Sequence, residues 1–350
     1  MGPQLDFDQG SETNMKYIIQ LFLSIVCAAN VLAAESKIIA PGATLQKLAG
    51  DFIFTEGPSC DGEGNVFFTD QPNDRILKWS VDGKLSTFMQ PCGRANGLSF
   101  DYQGQLWACA DEKNELWRID PAGKATVVVK DYQGKLLNGP NDVWVRPNHL
   151  AALETSSIAA PKAAPNAGPG DRQTAGPTAR VTELQEVPGG LYFTDPYYKR
   201  PYWKRGPKEM AECVYFLGPD YKTLTRVIDD LKQPNGIIGT PDGKLLYVAD
   251  IGGGKTYRYR IQPNGSLKEK TLFCEMGSDG MTIDGEGNIY LTGKGVSVFD
   301  SSGKKIEQIE VAESWTANVC FGGKDRQTLF ITASKSIYGL HMKVNGVDSQ

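Results

Sequence analysis

The sequence predicts an all-β chain, a six-bladed β-propeller with four-stranded blades around a central channel. Six short stretches repeat one pattern: a side chain bearing oxygen, four times followed by Gly, then an apolar strand, a tight turn and a second apolar strand. They open at Glu56, Asn96, Asn141, Asn235, Asp279 and Asn318, at intervals of 40, 45, 94, 44 and 39 residues. Four of these five intervals match the length of a propeller blade. The 39 Gly and 20 Pro of the 350 residues supply the turns such a fold needs.

Before the repeats lies an address. From Met15 and Lys16 an apolar run reaches Ala29, followed by Val31, Leu32, Ala33 and Ala34, the small-residue pattern of a signal-peptidase site. Residues 1–34 are therefore expected to be an N-terminal extension and signal peptide, with Met15 a second candidate start and a short membrane anchor the alternative. The domain proper is 35–350, exported to the periplasm or secreted, with no membrane contact after cleavage. Of seven cysteines, Cys27 leaves with the signal. The other six are spread along the repeats without a CxxC pair, which suits small core residues better than metal ligands or a disulfide framework, and their pairing stays open.

Each blade then reads as a hairpin. Turns such as 61–65, 101–104, 240–244 and 284–288 are built of Asp, Gly, Asn and Pro, residues that accept tight-turn geometry. The second strands close at Asp70, Asp111, Asp195 and Asp250, which lie 14, 15, 54 and 15 residues after their opening residue. The third blade is thus longer than its neighbours by 39 residues, 54 minus 15. The excess falls on 148–187, a stretch rich in Ala, Pro, Gly and Thr without strand or helix periodicity. It reads as a disordered insertion at a hairpin turn, on the face away from the opening residues, with a sequence artefact as the alternative.

In a propeller the first strand of each blade lies nearest the axis, so Glu56, Asn96, Asn141, Asn235, Asp279 and Asn318 are expected to enter the channel from one end. A single Asn-Gly is usually a turn. Six in phase, each opening a strand, read instead as a ring of oxygen donors. Such a ring with two carboxylates suits a hard divalent cation such as Ca²⁺, with Zn²⁺, Mg²⁺ and Mn²⁺ as the other candidates. His149 and His341 are the whole histidine complement, which disfavours a His-based zinc site and a Ser-His-Asp triad. A net charge of -4 removes the basic field that nucleic-acid binding requires.

The motifs around Glu56-Gly57-Pro58, Asn138-Gly139-Pro140-Asn141-Asp142, Tyr192-Phe193-Thr194-Asp195-Pro196, Pro234-Asn235-Gly236 and Asp279-Gly280-Met281 together resemble the SMP-30/gluconolactonase/regucalcin-like family of calcium-dependent six-bladed lactonases. The resemblance runs from about residue 50 to 342, apart from the insertion. It implies that Glu56, Asn141, Asn235 and Asp279 hold the metal, that Asp279 is also the acid/base residue, and that the reaction is metal-assisted opening of a sugar lactone. Animal members carry Arg two residues before the third-blade Asn, where this chain has Gly139, so sugar contacts there do not carry over. Asn96, Asn141 and Arg94 are candidates for substrate contact, Arg94 for an anionic group. The long loop 196–207 belongs to the same face, and its Tyr197 and Trp203 could stack on a sugar ring while its bases hold a carboxylate product. The expected partner is a small lactone or ester, for a monomer or weak oligomer. A propeller hydrolase of phosphotriesters or other esters and a non-catalytic ligand-binding propeller are the alternatives.

Overall fold

The computed structural model describes residues 36–153, 183–187 and 189–347. The expected signal segment and most of the insertion, 154–182, lie outside the described residues. Six four-stranded antiparallel sheets follow one another as the blades of a β-propeller. Their innermost strands are Thr55–Cys60, Ala95–Phe100, Val143–Arg146, Pro234–Gly239, Met281–Ile283 and Thr316–Gly322, one per predicted repeat.

The second strands explain why the repeats read as apolar runs. Val66–Asp70, Leu106–Ala110, Gly190–Asp195 and Ile289–Gly293 are buried along their whole length, because each sheet is covered on both faces by the neighbouring blades. A strand covered on both faces loses its polar alternation. The core is accordingly divided into layers between successive blades. Phe67 and Ile76 of blade 1 pack with Leu98 and Phe100 of blade 2, and Trp107 and Leu116 of blade 2 with Val143 and Phe193 of blade 3. Fourth strands such as Leu267–Cys274 lie at the rim, where mostly exposed residues suffice.

The turns are built as read. Asp61 Oδ1 accepts the backbone N–H of Glu63 and Asn65 (3.0 and 2.9 Å), and Asp284 Oδ1 those of Glu286 and Asn288 (3.0 and 2.9 Å).

Closure was not visible in the repeats. Blade 6 takes its outermost strand, Gln46–Ala49, from the N-terminal side of blade 1, and it pairs antiparallel with Ser336–His341. The ring is thereby shut by the two ends of the domain, and blade 6 gains a covered edge.

The insertion leaves from the turn between the first two strands of blade 3, whose register runs from Val143↔Phe193 to Arg146↔Gly190. Its ends are not structureless: His149–Leu153 pairs with Glu183–Val187 as a two-stranded ribbon. Backbone pairing needs no hydrophobic period, which is why composition alone showed no strand there. Among the described residues Cys92, Cys109, Cys213, Cys274 and Cys320 are buried free thiols, and Cys60 is half-buried.

Candidate active site

Four of the six inner strands carry an irregularity at the same place. In blade 4, Pro234 pairs with Asp250 but Ile237 with Val248, so one extra residue is accommodated at Asn235 and Gly236. Blades 1, 2 and 6 shift likewise, between Glu56 and Ser59, Ala95 and Leu98, and Thr316 and Asn318. The bulge turns the opening side chain out of the ladder. It also explains the Gly that follows, which is not a turn residue. A Cβ on Gly57 would lie 2.2 Å from the Asn96 carbonyl oxygen, one on Gly97 2.5 Å from that of Asn141, and one on Gly236 2.7 Å from that of Asp279. Adjacent inner strands approach so closely around the axis that only Gly fits, and the Gly97 N–H donates to the Asn141 carbonyl at 2.7 Å.

Two tiers result. The upper contains Glu56, Asn96, Asn141, Asn235 and Asp279. The lower contains the glycines, except that blade 3 has Asp142 and blade 6 has Asn318. By register the blade 6 residue equivalent to Asn235 is Ala317, because Thr316, like Pro234, pairs with the last residue of the second strand. Asn318 therefore stands one residue out of phase with the ring expected from the repeat. It reaches across the axis, its Nδ2 donating to Asp142 Oδ1 and Oδ2 (3.1 and 3.2 Å), in space that Gly97 and Gly280 leave open. The signal was present in the sequence: blades 3 and 6 are the two copies whose opening Asn lacks a following Gly.

Glu56, Asn96, Asn141 and Asp279 line one cavity of ≈ 220 Å³, together with Tyr198, Arg200 and Trp315. Asn235 joins through its amide, whose Nδ2 donates to Asp279 Oδ1 (2.7 Å) and to the Tyr198 hydroxyl oxygen (2.8 Å). With its donors so engaged, Asn235 Oδ1 is buried and has no hydrogen-bond partner, and Asn96 Oδ1 is in the same condition. Orphaned buried acceptors of this kind mark a place for a missing ligand.

Electrostatics point the same way. Burial, and then the charges of Asp279 and Asp142, push the Glu56 carboxyl well above its ordinary range, against the pull of the Gly57 N–H and the Asn318 amide. Burial pushes Asp279 up to about 6, moderated by the Trp315 Nε1–H on Oδ2 (2.5 Å), the Asn235 amide and the Arg200 charge. Asp142 is raised by burial and by Asp279. Three crowded carboxylates call for a cation. The donors are two carboxylates and amide oxygens, a hard-oxygen set that suits Ca²⁺ or Mg²⁺ better than zinc. Among the described residues no three His, Cys, Asp or Glu side chains are grouped to hold a metal by themselves, so amide oxygens have to complete any such site.

Closing aspartates hold the ring in place. Asp70 Oδ1 accepts the N–H groups of Ile53 and Phe54 (3.1 and 3.3 Å), Asp195 those of Asn138 and Gly139 (2.9 and 2.7 Å), and Asp250 those of Lys232 and Gln233 (3.1 and 2.9 Å). Each fixes the segment that leads into its own blade's opening residue. Asp111 is used differently. Its carboxylate takes Arg200 Nε (2.9 Å), the Tyr202 hydroxyl (2.5 Å) and Gln71 Nε2 (3.3 Å), and its carbonyl takes Trp203 Nε1 (2.6 Å), so it anchors the loop 196–207.

That loop reaches the cavity through Tyr198 and Arg200. Tyr197 and Trp203, the residues singled out by sequence, pack on each other with ring centres 5.6 Å apart and with the Arg205 guanidinium over both. Arg94 has a positive φ of 49° and donates from Nη1 to the Pro72 carbonyl (2.7 Å). It lines a neighbouring cavity of ≈ 500 Å³ with Gln71, Pro72, Arg200, Pro201 and Tyr202. Trp315 and Arg200 had no repeat signal, since one precedes a strand and the other belongs to an unrepeated loop.

Known proteins resemble this chain in sequence and in fold. Residues 175–335 match the SMP-30/Gluconolactonase/LRE-like region. The gluconolactonase of Zymomonas mobilis is 27% identical over 334 residues, covering 86% of this chain and 82% of that protein. Over residues 175–335 the chain is similar to the SMP-30/gluconolactonase/LRE-like family. A crystal structure of a candidate gluconolactonase of the family superposes with a TM-score of 0.73 at 29% identity, over 89% of this chain and 96% of the other. The gluconolactonase of Xanthomonas campestris gives 0.69 at 26% identity, over 87% and 91%. In this chain Gly139 has a φ of 153° and lies against Trp203 and Asp111. A Cβ there would already be 3.0 Å from the indole, so the loop occupies the space a larger residue at 139 would need.

Proposed function

We propose that this protein is a divalent-cation-dependent lactonase, opening sugar lactones or related cyclic esters with a water nucleophile. What carries the reading is the convergence of two orphaned amide oxygens, on Asn96 and Asn235, with the carboxylates of Glu56 and Asp279. Gluconolactonases among the relatives support the substrate class. Glu56, Asn141, Asn235 and Asp279 are the residues that would hold the cation, and Ca²⁺ fits them best. When bound, it would supply Lewis-acid polarisation of the ester carbonyl.

The chain's own groups supply the rest. Asp279 presents its carboxylate to the same cavity, oriented by hydrogen bonds, and is suited to take a proton from water. Trp315 and Asn235 each donate to a different oxygen of that carboxylate, which fixes its orientation. Tyr198 holds the Asn235 amide from the other side, and the orphaned Asn96 amide oxygen is available to a substrate hydroxyl or to the cation.

The test is elemental analysis of the purified protein, followed by hydrolysis of a lactone, an aryl ester and a phosphotriester with and without Ca²⁺. Lactone turnover that chelation removes and Ca²⁺ restores is the expected result. Preferential cleavage of the phosphotriester would favour the other hydrolase, and no turnover of any of the three would favour a binding propeller.

A further inference from the structure

We propose that the substrate carries a second, oxyanionic group, a carboxylate or phosphate remote from the scissile ester, and that Arg200 selects it. This rests on the lactonase reading and narrows its substrate class. Arg200 belongs to the linings of both cavities, the ≈ 220 Å³ space that holds Glu56 and Asp279 and the ≈ 500 Å³ space beside it. Its guanidinium is held at two points. Nε donates to Asp111 Oδ2 at 2.9 Å, and the head lies over the Tyr198 ring, 5.4 Å from its centre. Nη1 and Nη2 have no hydrogen-bond partner among the described residues. A guanidinium pinned through Nε, with its Nη pair free, is pre-organised for a forked contact with a planar oxyanion.

The surroundings reinforce this. The catalytic cavity already holds Glu56 and Asp279 above Asp142, so an anionic substrate needs compensating positive charge to enter. Arg200 lines the same cavity as Asp279, and it therefore acts on the same field. The larger cavity contains a second guanidinium, Arg94, 4.7 Å from the centre of the Tyr202 ring, whose buried Nε lacks an acceptor. The facing acids are few. Asp111 is engaged by Gln71, Tyr202 and Arg200, Asp74 Oδ1 accepts the Arg94 backbone N–H (2.7 Å), and Glu112, exposed, lies 4.0 Å from Arg94 Nε.

The experiment compares a neutral aldonolactone with lactones bearing a carboxylate or a phosphate, with Ca²⁺ present. The anionic lactones are expected to be preferred in kcat/KM by about 10-fold or more, as a charge-assisted hydrogen bond implies, mainly through KM. Arg200→Met should bring the anionic-to-neutral ratio to near 1. Tyr202→Phe, which loosens the same Asp111 anchor without removing charge, should keep the preference. The carboxylate and phosphate arms show which oxyanion is favoured. A wild-type ratio near 1, or a ratio unchanged in Arg200→Met, overturns the proposal while leaving lactone hydrolysis standing. Calorimetric binding of glucarate against gluconate provides a readout without turnover. Tighter glucarate binding that Arg200→Met removes supports Arg200 even if no lactone is opened, and equal binding of the two overturns it.

Discussion

Glu56 is buried beside two other carboxylates and feels the charge of both. A buried acid in like-charged company is tolerated where a cation completes it, and it weakens the protein when the cation is removed. Glu56→Gln should therefore raise the melting temperature of the metal-free protein, by a stability gain of about 1–3 kcal/mol, while ending Ca²⁺ binding. The same variant, and Asp279→Ala, should lower lactone hydrolysis by roughly 100-fold or more, as expected for loss of a metal ligand or general base. Unchanged turnover in either would remove the proposed site. Asp195 offers a second check, away from the ring. Burial raises its carboxyl to about 7 despite the two N–H groups it accepts, so the folded state keeps a proton that the unfolded chain releases near pH 4. Stability should then fall as pH rises from about 4 to 7. Asp195→Asn should flatten that slope in melting curves taken across the window.

At the scale of the element, the inner strand, bulged in blades 1, 2, 4 and 6, is the unit that makes the site. In five blades an oxygen-bearing side chain stands at its start, and in four of them a Gly follows. The sequence showed both, but not why the Gly was required, since Asn-Gly and Asp-Gly are also turn pairs and Asp284-Gly285 is such a turn here. Gly57 has a φ of 45°, and a Cβ added to it would meet the Asn96 carbonyl oxygen at 2.2 Å. Gly57→Ala is expected to cost about 3 kcal/mol or more, visible in chemical denaturation, because neither strain nor contact can relax without moving two inner strands. A cost below about 0.5 kcal/mol, the size of an ordinary surface substitution, would show that the inner strands are not so tightly apposed. The loop 196–207 was legible as belonging to the site's face. Which of its aromatics and bases face the cavity was not, because that is decided by the Asp111 anchor on another blade.

For the whole molecule, ring closure joins the strand Gln46–Ala49 to Ser336–His341, so stability depends on both ends of the domain. Deleting residues 36–49 should expose the edge of Ser336–His341 and produce earlier, less cooperative thermal unfolding with aggregation. Full-length behaviour after the deletion would mean that closure is dispensable. The cation is expected to act globally too. Because the proposed ligands come from four blades, Ca²⁺ at 100 times its dissociation constant should stabilise the folded ring by about 2.7 kcal/mol, read as a rise in melting temperature.

The repeat and its spacing were enough to determine the architecture and the blade count, and to point to five of the six expected oxygen donors of the upper tier. Each depends on local pattern: apolar runs because both sheet faces are covered, tight-turn residues because hairpins must close, and an oxygen-bearing side chain where each inner strand begins. Tertiary structure decided what depends on contacts between distant segments. Asn318 falls to the lower tier beside Asp142, 176 residues away in sequence, because it stands one residue later on its inner strand than Asn235 does, at the position that Gly236 holds in blade 4. Arg200 and Tyr198 reach the cavity instead of Tyr197 and Trp203 because Asp111 holds the loop in that orientation. The N-terminal strand belongs to the last blade because a closed ring leaves that edge to be covered, a constraint that no single repeat carries.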